Sequence, residues 1–158
     1  MADKDKHYPL LFEFSDLLEG NGFVAAVHAN CRALAREEDG GWWIDGVNPG
    51  AMAEGGRTIH EAHLFLLQCF RKVLLDFAKS AADFDAFRTA TVDFFNQTDE
   101  ESLLEWDEAV GAVRAGERTI EGLVRIPSAQ RPAKIDVVLR VRHVPSSGRI
   151  DDDPLMAA

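Results

Sequence analysis

The side chains best equipped for chemistry are five histidines, two cysteines and 27 Asp and Glu residues in a chain of 158. His60-Glu61-Ala62-His63 comes closest to a metal pattern. A zinc-binding H-E-x-x-H helix sets its histidines at i and i+4, with the glutamate between them as base. Here they stand at i and i+3, and Glu61 is claimed by a helix-start motif with Thr58. One surface and one semi-buried histidine are therefore expected, and no metal. His28-Ala29-Asn30-Cys31 falls on an alternating segment, where i and i+3 face opposite sides of a sheet. Those two residues share no ligand, and Cys31 is expected in the core. Ser15, Ser80, Ser102 and Ser128 lack the G-x-S-x-G elbow that exposes a nucleophile. Neither G-x-G-x-x-G nor a P-loop is present; Gly40-Gly41 and Gly55-Gly56 read as turn pairs. Asp99-Glu100-Glu101 and Glu105-Asp107-Glu108 read as solvated acids that favour helix dipoles. No catalytic residue, metal ligand or cofactor is assigned, and the chain is not expected to be an enzyme.

Charge points towards partners. The formal net charge is -10, the opposite of what a free-standing nucleic-acid binder needs to meet phosphates. Residues 1–110 carry 21 acids against 9 bases, whereas residues 111–149 carry 8 bases against Glu117, Glu121 and Asp136. Such a basic stretch can contact acid, or guard an edge strand against unwanted pairing. Cys31 and Cys69 have no CxxC spacing, the N-terminus has no long apolar h-region, and no apolar run approaches a membrane span. A cytoplasmic protein with no membrane contact is expected.

The elements that must position these residues follow from periodicity. Leu10, Phe12 and Phe14 alternate as in a strand with one buried face, and Asn21-Gly22 marks a turn. From Phe23 the alternation is long: Phe23, Ala25, Val27, Ala29, Cys31, Ala33 and Ala35 form a small-residue core face suited to a close helix. His28, Asn30, Arg32 and Arg36 fall on the wetter face. Asp39-Gly40 predicts a hairpin; a two-residue loop pairs Ala35 with Ile44 and Arg36 with Trp43, and a three-residue loop inverts that register. Trp42 and Ile44 then join the core face, and Trp43 lies near the Arg36 guanidinium, within reach of a cation–π contact. Asn48-Pro49-Gly50 breaks the third strand.

Thr58 and Glu61 make a capping box for the first helix, whose apolar positions run from Ile59 to Phe77. Leu64, Leu67 and Leu75 widen its apolar side beyond one face, so two packing partners are expected. A second helix starts near Asp83. A third starts at Thr98 with a second capping box, carries Leu103, Trp106, Val110 and Val113, and ends at Gly116. The last strand has Ile135, Val137, Leu139 and Val141 inside and Lys134, Asp136, Arg140 and Arg142 outside. Residues 145–158 read as a mobile tail. The expected fold is α+β, one domain spanning 1–158, with an antiparallel sheet of about four strands in the order β-β-β-α-α-α-β and helices on one face.

The string from Asn48 to Ala62, with Pro49-Gly50, Gly56-x-Thr58 and Glu61-Ala62, resembles the core signature of HicB-like antitoxins. Gly22-Phe23-Val24-Ala25 matches the start of the family's strand. The resemblance covers about residues 8–80, together with the last strand at 133–144; the helices at 83–116 lie outside it. It implies a three-stranded antiparallel sheet, a helix and a further strand, in a domain that neutralises a small RNA-cleaving toxin. No recognisable helix-turn-helix or ribbon-helix-helix follows the last strand, so nucleic acid is not expected as a ligand without a partner.

The resulting expectation is a non-enzymatic domain that binds a small basic, toxin-like protein through the sheet or its edge. The partner-binding residues expected are His28, Asn30, Arg32, Arg36, Trp43, Arg140 and Arg142. The alternative is a small-molecule-binding domain or an enzyme of unfamiliar type, with a pocket between the hairpin and the added helices using Trp42, Trp43, Trp106 and His28. A homodimer is also expected, closed by a twofold axis through the apolar flank of the first helix or through the last strand.

Overall fold

The structure is a computed structural model that describes residues 7–116 and 135–142. Eight elements follow in order: β1 (Tyr8–Gly20), β2 (Phe23–Glu38), β3 (Gly41–Asn48), β4 (Gly50–Gly56), α1 (Ile59–Ser80), α2 (Phe84–Asn96), α3 (Glu100–Arg114) and β5 (Ile135–Arg142). The α+β class and the antiparallel sheet are as expected from the pattern. The sheet has five strands ordered β1-β2-β3-β4, with β5 also paired to β2.

β2 organises everything else. From Phe23 to Ala35 one edge pairs with β1, from Gly20↔Phe23 to Tyr8↔Ala35. Its other edge is shared end to end: Arg32 to Glu38 take β3, and Phe23 to Ala29 take β5. The hairpin at Asp39-Gly40 has the two-residue register, with Ala35 opposite Ile44 and Arg36 opposite Trp43. Asp39 and Gly40 both adopt positive φ, +53° and +80°, as that turn requires. The core face of β2 is closed: Ala25, Ala29, Cys31, Ala33 and Ala35 are fully buried. α1 lies over it through Ala62, Leu66, Phe70, Leu74 and Ala78, small against large so that helix and sheet approach closely.

Three features depart from the expectation. β1 runs on to Gly20 because Asp16, which interrupts the apolar alternation, sits on the helix face and is ion-paired to Arg71 of α1. β4 is an additional strand. Asn48-Pro49-Gly50 does end β3, yet the chain turns back and Gly50 pairs with Val47. Its glycines let other groups close in: a Cβ on Gly56 would lie 2.6 Å from the Ala62 amide, and one on Gly55 would lie 3.0 Å from the Trp43 ring.

The third feature is the side of the sheet on which α3 lies. α1 and α2 share the expected face, with Phe23 meeting Phe84 and Phe87 of α2. α3 packs on the opposite face, where Trp106, Ala109 and Val110 close a second core with Leu34 and Val47. The α2–α3 linker crosses at the β3–β4 turn: the Gly50 amide donates to Gln97 O at 2.9 Å and the Asp99 amide to Val47 O at 3.2 Å. Any Cβ on Gly50 would lie 2.7 Å from the Asp99 nitrogen. Glycine is what lets the linker pass.

The helix starts follow the sequence closely. Glu61 N–H donates to Thr58 Oγ1 at 3.0 Å, while the Glu61 carboxylate accepts from the Arg57 amide at 2.7 Å, one residue before the cap. Asp83 caps α2. For α3 the cap is Asp99, which accepts from the Ser102 amide, and the expected Thr98 box does not form. Gly116 takes φ +79° just beyond α3, as a C-terminal glycine should. On β5, Val137 is buried, and Ile135 and Leu139 pack against the main core, while Asp136 and Arg140 are exposed. Lys134 and the tail at 145–158 lie outside the described residues, as do the Val141 and Arg142 side chains.

His60 is exposed and His63 half-buried, its ring edge-on to Phe12 at 4.7 Å. The His63 Nε2 is buried without a hydrogen bond. Burial, then the nearby His60, holds its pKa below the ordinary histidine value. The neutral ring is thus favoured in the folded state, so unfolded chains take up the proton first as pH falls through about 6.5. Stability from this site is complete above that pH and lost below it. Urea midpoints at neutral and mildly acid pH should show a drop in the wild type that shrinks in His63→Leu. An equal drop in both proteins would assign the acid sensitivity elsewhere.

Candidate functional site

The strand pleat sends the even residues of β2 to the face opposite α1. Cross-strand register then builds rows on that face. Ser15, His28 and Asp136 come from three adjacent strands and lie side by side. Leu17, Ala26 and Val138 form the next row, and Glu13 faces Asn30. Leu17 is 59% exposed and Val138 45%. Leucine and valine this open on a sheet make a half-face that is apolar at its centre and carries the acids Glu13, Glu19 and Asp136, together with exposed Arg140, at its margin.

α3 covers the other half of the face and divides the expected partner-binding residues. His28 and Asn30 stay on the open half, as does the exposed Arg140 of β5. Arg142 closes β5 opposite Phe23. Arg32 is taken into the structure instead. Its Nε donates to Asn48 Oδ1 at 2.8 Å, and its guanidinium lies 5.1 Å from the Trp106 ring centroid. Asn48, only 4% exposed, passes the bond on to Gln97 O and Thr98 Oγ1. Burial lowers the Arg32 pKa and Asp107 opposes that shift, so the cation is held by its neighbours rather than offered to a ligand. Arg36 is bound by Asp45 at 3.2 Å and by Glu38. Beside it Trp43 is exposed and rests on Gly55. The arginine–tryptophan contact anticipated for that pair is made by Arg32 and Trp106.

Ser15 is the residue that sequence reading passed over. Its Oγ lies 2.9 Å from His28 Nδ1, and Asp136 stands on the other side of His28 in the ladder. The types are those of a nucleophile, a base and an orienting acid. Their setting is an open sheet face, with Ser15 on the strand at the end of the sheet. Ser15 and Asp136 are exposed and can exchange hydrogen bonds with a docked surface. Among the described residues no three His, Cys, Asp or Glu side chains come together to hold a metal. Cys31 is buried, and burial pushes its thiol up to about 12. Cys69 bonds to Glu54, which raises its pKa. Neither is an activated nucleophile.

The three tryptophans line no common cavity. Trp42 packs by Tyr8 at 5.9 Å on the α1 face, Trp106 is buried under α3, and Trp43 faces solvent. A groove of about 480 Å³ does occur elsewhere, beside the outer edge of β1, between Phe14 and Ser15 on one wall and Leu64, Leu67 and Arg71 of α1 on the other.

Fold and surface together define an α+β domain that presents a half-open antiparallel sheet and a long edge strand. No family model matches the sequence, and neither the curated proteins nor the solved structures compared with it give a match. Among the described residues no helix is long and apolar enough to cross a membrane.

Proposed function

We propose that this chain is a non-enzymatic, HicB-like partner-binding domain that sequesters a small basic protein, in the manner of an antitoxin. The observation that carries the reading is the open half of the sheet face: exposed Leu17 and Val138 rimmed by Glu13, Glu19 and Asp136, on a chain of net charge -10. An apolar centre with an acidic rim suits a partner whose own apolar patch is ringed by Lys and Arg. The Ser15–His28 pair serves recognition there, as an adaptable donor and acceptor.

The test looks for a small basic protein encoded beside this chain and pairs the two; finding none counts against the reading. Expressed alone, that protein should arrest growth; expressed with this chain, it should not. The purified complex should weaken at least about tenfold on Val138→Asp and weaken further with added salt. A neighbour that neither arrests growth nor binds the chain would overturn the reading, as would binding indifferent to Val138→Asp.

A further inference from the structure

We propose that β1 is a self-pairing edge: two copies of this chain join β1 to β1 in antiparallel register about a twofold axis beside Phe14. The inference rests on the strand edge and its register, not on the partner of the sheet face, although Leu17 belongs to both surfaces. Among the described residues β1 pairs on one side alone, with β2, and leaves thirteen residues at the end of the sheet. An edge this long and apolar is a template for another strand.

The register follows from parity. The β1–β2 turn at Asn21-Gly22 has two residues, flanked by the pair Gly20↔Phe23. Residues flanking such a turn exchange backbone bonds, so the even residues of β1 bond to β2 and the odd ones direct their backbone groups outward. Self-pairing must therefore set odd residues opposite odd residues. With Phe14 at the axis, Leu11 meets Leu17 of the second copy, Glu13 meets Ser15, Asp16 meets Phe12 and Glu19 meets Pro9. The two exposed leucines of the strand, 38% and 59% open, cover each other, and every acid faces an uncharged residue. Moving the axis to Glu13 sets Glu13 against itself. Moving it to Ser15 sets Leu11 against Glu19 and Glu13 against Leu17. Moving it to Asp16 sets Asp16 against itself. Only one register pairs the leucines and separates the acids.

A second observation has the same centre. The groove beside the β1 edge is lined by Glu13, Phe14, Ser15 and Asp16 below and by Leu64, Leu67, Gln68 and Arg71 of α1 above. Leu64 is 44% exposed although it lies next to the core. A strand added at β1 would enter this groove with its own Phe14 at the middle, and its leucines at 64 and 67 would face those of the first copy across the axis. The apolar excess on α1 and the open edge then belong to one interface.

Cross-linking reads the register. In a Cys69→Ser background, Leu11→Cys and Leu17→Cys proteins are each oxidised alone and then as an equimolar mixture. Facing Cα atoms in such a pair lie about 5.5 Å apart, within disulfide range. The mixture should yield a covalent dimer and each protein alone should not. Glu13→Pro removes an outward amide without touching the β2 ladder, so the chain should stay folded, with its midpoint lowered only by the lost association, while self-association weakens by at least about tenfold. Because both copies carry negative charge, association should strengthen with salt. A monomer mass at micromolar concentration overturns the proposal. So does a dimer that survives Glu13→Pro with no cross-link in the mixture, which would place the interface elsewhere, and so does self-cross-linking of Ser15→Cys, which would move the axis.

Discussion

Replacing Phe70 by alanine will cost about 3–5 kcal/mol of folding stability, the upper part of the range for core truncations. Phe70 is fully buried at the centre of α1. Its ring meets four others: Phe12 at 6.3 Å and Phe14, Phe94 and Phe95 each at 5.9 Å. Those rings come from β1 and α2, so the cavity opens where α1 meets both elements and none can collapse into it alone. A domain of this kind has about 5–15 kcal/mol in total, so the variant should unfold at a much lower urea concentration with an unchanged slope. A loss under about 1 kcal/mol would mean that Phe94 and Phe95 repack, and that the cluster is looser than its geometry implies.

Trp106→Ala should cost a similar amount, about 3–5 kcal/mol, by a separate route. Trp106 is 1% exposed and is the largest side chain of the second core. It also carries the Arg32 guanidinium, whose other neighbour is buried Asn48. Removing the ring leaves a half-buried cation with fewer partners as well as a void. Hydrogen exchange should report the loss first in α3 and in the β3–β4 turn that the α2–α3 linker crosses, with α1 protected longer. The two substitutions share no contact residue and lie on opposite faces of the sheet, so their effects should add within about 0.5 kcal/mol. Strong coupling between them would show that the sheet transmits strain between its two cores.

The candidate site was only partly legible in the sequence. His28 and Asn30 were found because the alternation of β2 extends unbroken across them. Arg32 has the same parity and looked equivalent, yet α3 covers it and turns it into a structural cation. Ser15 was set aside for want of a nucleophile elbow, and its place beside His28 was hidden because Asp16 interrupts the apolar pattern and shortens the apparent strand to Phe14. The interruption is resolved by Arg71, 55 residues away in sequence, which no local reading can weigh. β4 was missed for a similar reason. Gly50-Ala51-Met52-Ala53-Glu54-Gly55-Gly56 has weak strand propensity, and it becomes a strand because β3 offers an edge and because Trp43 and α1 need the space its glycines leave.

What the sequence determined by itself was everything decided within a few residues. The periods of two and 3.6, the Thr58 and Asp83 caps, the Gly116 terminus and the presence of a turn at Asp39-Gly40 all rest on contacts between near neighbours. Tertiary structure decided the rest: that α3 lies on the far face, that β5 shares one edge of β2 with β3, and that β1 is left at the end of the sheet. An amphipathic helix or strand specifies that it must bury one side, and is nearly indifferent to which apolar surface does the covering. That choice is a sum over distant surfaces and linker paths. Here the linker path passes close to Gly50, where a Cβ would meet the Asp99 nitrogen.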